Sequence, residues 1–291
     1  MSALMNFLEI SFAPLVLLFT VSNLGAMGLQ VNLADVMVTL KNKKSLALIF
    51  IWGWLLGPAL GYLITRVLPL EQPYVIVVLL ASLAPCAPFL QQMVGKANGD
   101  MGFAGALIPL VAVGTVVFMP LMAPLLITGL TIDTWALAKP LLLTILLPLI
   151  VGAVIRHFSD QTATAIFPAI RGLALLSTLL TVIWCLVLYG KGMLNTAGEL
   201  ALLSMTLFMV AMAAVTYRLG FGLKQNQRSV MALGMGTRNV AAVLAAALAI
   251  PDADPRILVM VVMWTLWSVV LAAIAARIFF KQSLLKKIRT H

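Results

Sequence analysis

SVMALGMGTRNVAAVLAAALAI, residues 229–250, is the stretch on which the reading of this chain turns. Its length and apolar flanks suit a helix crossing a hydrocarbon core about 30 Å thick. Its middle does not, because Gly234, Gly236 and the polar run Thr237-Arg238-Asn239 lie at the centre. A charge at the centre of a spanning helix costs about 2.5–3.5 kcal/mol on insertion scales. Arg238 has apolar sequence for about ten residues on either side, too far for its side chain to snorkel to an interface. The stretch therefore predicts a helix broken at membrane depth, which is tolerated only where the backbone is buried in protein or lines a cavity. A second interruption, APCAPFLQQ over residues 84–92, has two prolines three residues apart. Each removes a backbone donor and clashes with the preceding turn, so this span is expected to break as well.

The rest of the chain fits the same picture. Of its 291 residues 63% are hydrophobic and 10% charged, with a mean hydropathy of +1.10, against roughly half and a quarter for soluble domains. Apolar blocks near 10–31, 45–68, 73–95, 102–128, 136–156, 168–190, 199–220, 229–250 and 256–280 give about nine transmembrane helices in one all-α membrane domain covering 1–291. The period-2 alternation of a membrane barrel is absent. No basic n-region precedes the first apolar run, so a cleaved leader is not expected.

The net charge of +10 reads as topology and not as affinity for nucleic acid. With nine spans, fourteen of the nineteen Lys and Arg, including Lys41, Lys43, Lys44, Lys96, Arg171 and Lys224, fall on one side and four on the other. The remaining one is Arg238. The positive-inside rule then puts the N-terminus outside and the C-terminus in the cytoplasm of a plasma (bacterial inner) membrane. The basic tail from Lys281 to Arg289 is expected to anchor at anionic lipid. The third and eighth spans run in opposite directions, and interrupted helices in matching places of two inverted halves point to a secondary transporter.

Arg238 is the candidate for chemistry. Backbone carbonyls freed by the helix break are one possible partner. An intramembrane carboxylate is not, because Glu9, Asp35, Glu71, Asp100, Asp133, Asp160, Glu199, Asp252 and Asp254 all fall at span ends or in loops. An anionic substrate is the preferred partner, since a guanidinium grips carboxylates in bidentate fashion. Thr237, Asn239, Gln91, Gln92 and Asn23 add hydrogen-bonding groups at similar depth, each of which alone suits a helix–helix contact. Cys86 and Cys185 imply no disulfide framework. Asn195-Thr196, His157 and His291 make no metal or catalytic set, and no cofactor is indicated. No phosphate-binding or nucleophile-elbow motif supports ATP-driven pumping or hydrolysis, so no enzyme is expected.

With these features the chain resembles the bile acid:sodium symporter (BASS) family over nearly its whole length. The resemblance is carried by Met27-Gly28-Leu29 with Asp35, by Ala84 to Gln92 ending in Gly99-Asp100, by Gly236-Thr237-Arg238-Asn239-Val240, and by Trp264-Thr265. It implies a panel of helices near 10–31, 136–156 and 168–190, a core near 45–128 and 199–280, and two broken helices crossing in that core. It also implies alternating-access transport of organic anions, with substrate touching Pro88 to Gln91, Thr237 to Asn239, Thr265 and Ser268. Sodium-coupled members carry Ser-Asn in the first break and Glu-x-Gly-x-Gln-Asn in the second. Here the first pair is Leu90-Gln91, and the Glu and Gln positions are Gly234 and Arg238. The usual sodium sites are thus expected to be missing, with Arg238 as a fixed positive charge and coupling by protons or exchange. Two other readings are metalloid efflux through Cys86 and a membrane anion sensor or scaffold that does not transport.

Overall fold

The computed structural model describes residues 2–127, 133–198 and 200–289. Glu199, His291 and the end of the fourth expected span at 128 lie outside them. The described residues form twelve helices. They are α1 Ser2–Gly28, α2 Leu33–Lys41, α3 Lys43–Val67, α4 Gln72–Ser82, α5 Leu90–Lys96, α6 Met101–Leu126, α7 Thr134–Phe158, α8 Asp160–Gly198, α9 Ala201–Arg218, α10 Gln225–Gly236, α11 Val240–Leu248 and α12 Pro255–Arg289. Seven of them, α1, α3, α6, α7, α8, α9 and α12, are long and apolar enough to cross a membrane. The expected third and eighth spans are the two pairs of shorter helices, α4 with α5 and α10 with α11.

Local chemistry sets the boundaries. Asn32 and Asn42 cap α2 and α3 by accepting from Ala34 N at 3.0 Å and Ser45 N at 3.1 Å. Asp100 and Asp133 cap α6 and α7 by accepting from Phe103 N at 2.9 Å and Trp135 N at 3.1 Å. Such side chains satisfy the orphan amides of a first turn. The amphipathic α2 occupies what the hydropathy pattern shows only as a loop. Inside α3 and α7 the helix widens to π geometry at Ile51–Leu56 and Leu142–Leu146. Pro58 and Pro148 follow directly, so the missing amide donors are absorbed by a bulge and the helices continue.

The expected start of the sixth span at 168 is corrected. Ser159 accepts from Thr162 N at 3.1 Å, and α8 begins at Asp160 and runs through Pro168. Arg171, expected at the very start of this span, therefore sits about 16 Å along the helix axis from its beginning.

Helices α1, α7 and α8 pack on one another. At the α1–α7 crossing the backbones touch. A Cβ on Gly28 would lie 2.4 Å from Leu149 O, and one on Gly152 would lie 2.6 Å from Gly25 O. Only glycines allow this approach, which is how membrane helices gain dispersion contacts without a hydrophobic driving force. The remaining helices gather around the paired short helices, with α9 against α10 and α12 against both α4 and α11. Trp264, Arg238, Tyr74 and Phe208 are among the largest side chains fully enclosed there.

Candidate functional site

The two breaks face each other. The first spans residues 83–89, where Cys86 takes a left-handed φ of 67°. The second is shorter than the sequence suggests. The helix continues through Gly234 and Gly236, and only Thr237, Arg238 and Asn239 are unwound. Pro85 and Arg238 form an isolated antiparallel bridge. Cys86 N donates to Gly234 O at 2.9 Å and Thr237 O at 3.1 Å, and Asn239 N donates to Ala84 O at 2.7 Å. Thr237 Oγ1 accepts from Ala87 N at 3.1 Å and donates to Leu233 O at 2.7 Å. Asn239 Oδ1 accepts from Ala242 N at 3.3 Å as the cap of α11. Each break thus satisfies backbone groups freed by the other, as a region closed to water requires.

Arg238 closes the arrangement. It is 0% exposed. Its Nη1 donates to Ala81 O at 3.4 Å and Ser82 O at 3.3 Å, its Nη2 donates to Met235 O, and its guanidinium lies 4.6 Å from the Phe208 ring centroid. One cation therefore caps the C-terminal ends of both α4 and α10, where the helix dipoles leave partial negative charge. Among the described residues no carboxylate pairs with it, and its Nε has no partner. Of the two partners considered from sequence, carbonyls hold the guanidinium in this conformation.

The backbone is closely packed at Gly234, where a side chain would need its neighbours to move. A Cβ on Gly234 would lie 2.9 Å from both Cys86 Sγ and Leu107 Cδ2. Cys86 is itself buried in that contact.

The other expected residues separate into two groups. Pro88, Gln91, Gln92 and Asn23 line one cavity of about 390 Å³, together with Met27, Gln30, Phe167 and Arg171. This cavity lies between α1 and α8 on one wall and the first break with α5 on the other. The Gln92 amide, with its oxygen toward α8, accepts from Arg171, with Nη1 at 3.2 Å. Asn23 Nδ2 donates to Phe19 O at 2.8 Å and Thr178 Oγ1 at 3.3 Å. Thr265 and Ser268 lie apart from it, their hydroxyls donating to Val261 O at 3.0 Å and Thr265 O at 2.9 Å within α12.

Arg171 is the residue that sequence reasoning missed. Its signal was present in Ser159-Asp160, a helix start eight residues before Pro168, which places the arginine three turns into a span. The cavity offers a fixed cation, three glutamine amides and an asparagine beside apolar walls, a donor-rich site for an anion of carboxylate size.

Comparison with known proteins agrees with this architecture. The profile of the Sodium Bile acid symporter family matches residues 15–196. The chain is 24% identical over 231 residues to the probable chloroplastic sodium/metabolite cotransporter BASS3 of Arabidopsis thaliana, covering 77% of this chain and 53% of that one. It is 23% identical over 193 residues to the corresponding protein of Oryza sativa subsp. japonica, covering 66% and 46%. The chain spans about half the length of the curated relatives it matches. The match runs from the middle of α1 through the first break to nearly the end of α8, and with seven apolar helices among the described residues this chain is an integral membrane protein belonging to the sodium bile acid symporter family.

Proposed function

We propose that the protein is a secondary transporter of a small carboxylate, held by Arg171 in the cavity beside the crossing and not coupled to sodium there. The observation that carries this is the placement of Arg171 with Gln91, Gln92, Gln30 and Asn23 between two groups of helices. A guanidinium with amide donors around it suits a carboxylate and repels cations. In this reading each pair of short helices completes one span, giving nine. Helices α1, α7 and α8 form the panel and the others the core, which moves against it in alternating access.

Arg238 is in this reading the built-in cation of the crossing. It supplies the positive charge that a bound sodium ion would bring, and it reaches substrate only after the crossing rearranges. The close packing at Gly234 supports the same conclusion, because a larger residue there would have to displace Cys86 and Leu107. Coupling is then to protons or to exchange of anions. The cavity lies toward the end that carries Lys41, Lys43, Lys44 and Lys96. With the N-terminus outside and the C-terminus in the cytoplasm of the plasma (bacterial inner) membrane, this conformation faces inward.

Uptake of small mono- and dicarboxylates into proteoliposomes, with and without a sodium gradient, tests the reading. Wild type is expected to show saturable uptake or counterflow that a sodium gradient changes less than twofold. Arg171→Ala is expected to lose at least about tenfold, the loss of one charge-assisted hydrogen-bonded pair. Equal uptake by Arg171→Ala, or strong stimulation by sodium, would sink it.

A further inference from the structure

A second polar pocket lies at the basic end of the molecule, apart from the cavity just described. It has a volume of about 170 Å³ and is lined by Asp35, Thr39, Asn42, Ser45, Asp100, Gly102 and residues around them. Two carboxylates open onto one point. A Cβ on Gly102 would lie 3.5 Å from Asp35 Oδ1 and 3.6 Å from Asp100 Oδ1. The absence of a side chain at Gly102 is what keeps that space open.

Neither carboxylate is neutralised. Among the described residues neither Asp35 nor Asp100 is in an ion pair, although Lys41, Lys43 and Lys44 are close in sequence to the pocket. Asp100 accepts from Phe103 N at 2.9 Å and from Gln227 Nε2 at 3.4 Å, which leaves further lone pairs on both of its oxygens. Two hydroxyls make the independent case for a ligand. Thr39 is 5% exposed and Ser45 4% exposed, both line the pocket, and neither hydroxyl has a hydrogen-bond partner among the described residues. Each side chain is otherwise enclosed by protein, and its hydroxyl is left open toward the pocket, free to ligate a bound ion.

The ligands on offer are all hard oxygens: two carboxylates, two hydroxyls and the Asn42 amide oxygen, with Gln227 holding Asp100 in place. No cluster of three or more His, Cys, Asp or Glu occurs among the described residues, which argues against a soft or tightly held transition metal. Two negative charges are matched by one divalent ion, and the volume leaves room for several of its waters. We propose that this pocket binds a hard divalent cation, Ca²⁺ or Mg²⁺, between Asp35 and Asp100. The ion braces three elements that the chain connects only distantly: the short α2, the start of α6 and, through Gln227, the start of α10. With two carboxylates the affinity falls in the millimolar range seen for open oxygen sites.

Thermal unfolding of the purified full chain in detergent, after chelation and then with 10 mM CaCl₂ or MgCl₂ against NaCl of matched ionic strength, is the test. Wild type is expected to gain roughly 2–4 °C with a divalent ion. Gly102→Ala fills the open point with a methyl group on a better helix former, and should unfold as wild type does in chelator while losing the gain. Asp35→Asn should lose it too, and Asp100→Asn keeps the cap of α6 while removing a charge. No gain in wild type, the same gain in all four proteins, or a gain with Na⁺ alone would each overturn the proposal. The experiment involves no transport, so its outcome is independent of the carrier reading.

Discussion

At Arg238 a single side chain carries charge, hydrogen bonds and ring contact at once. Membrane arginines usually face a cavity or an acidic partner, whereas this one is held by carbonyls of Ala81, Ser82 and Met235 and by the face of Phe208. Removing it leaves those carbonyls bare at depth, at about 1–3 kcal/mol for each unsatisfied group. Arg238→Ala is therefore expected to lower the unfolding temperature in detergent by 5 °C or more by this estimate. Lysine keeps the charge but not the planar fork, so Arg238→Lys should fall between the two. An alanine variant that melts within about 2 °C of wild type would remove Arg238 from its capping role. The sequence made Arg238 conspicuous through its unpaired charge. It did not distinguish carbonyls from substrate, because that depends on Ala81 and Ser82, more than 150 residues earlier in the chain.

Between elements, Arg256 at the start of α12 ties that helix to the start of α4. It pairs with Glu71 at the start of α4 and with Asp254, whose Oδ2 accepts from Nη2 at 2.8 Å. The hydrogen bond from Arg256 holds the Asp254 carboxyl below its usual range. A carboxyl lowered by folding contributes stability above its unfolded value near 3.9, lost as pH falls through the folded value. Arg256→Gln should thus melt below wild type at pH 7, and the difference should shrink as pH drops below about 4. A difference that is constant down to pH 3 would separate the pair from stability. The helix ends themselves were mostly legible. Pro85, Pro88 and Thr237 to Asn239 marked both breaks because proline and clustered polar groups act locally. The start of α8 was not, because apolar content fades before Asp160 while the helix does not. Arg171 was therefore placed at the first turn of the span, and the cation of the cavity was missed with it.

For the whole molecule, composition and charge asymmetry were enough to show a helical membrane protein, since both follow from the solvent and from no particular contact. Which helices pack on one another, as α1, α7 and α8 do, is not readable from composition, because every apolar helix offers the same kind of surface. The lysines at 41, 43, 44 and 96 predict that a reporter fused after residue 291 is active in the cytoplasm, and that one fused before residue 1 is active outside. The opposite pattern would invert the proposed direction in which the cavity opens.

The crossing also has a consequence for biogenesis. The amide of Cys86 and the carbonyl of Ala84 are satisfied by Gly234, Thr237 and Asn239, which leave the ribosome long after the first break does. Until they arrive, the nascent α4–α5 pair holds bare peptide groups that lipid does not tolerate. The first half of the chain must therefore wait at the insertion machinery, near water or a chaperone, for the second. Expressed as two separate polypeptides divided between α8 and α9, each half should be degraded alone, and the two should rescue each other when made together.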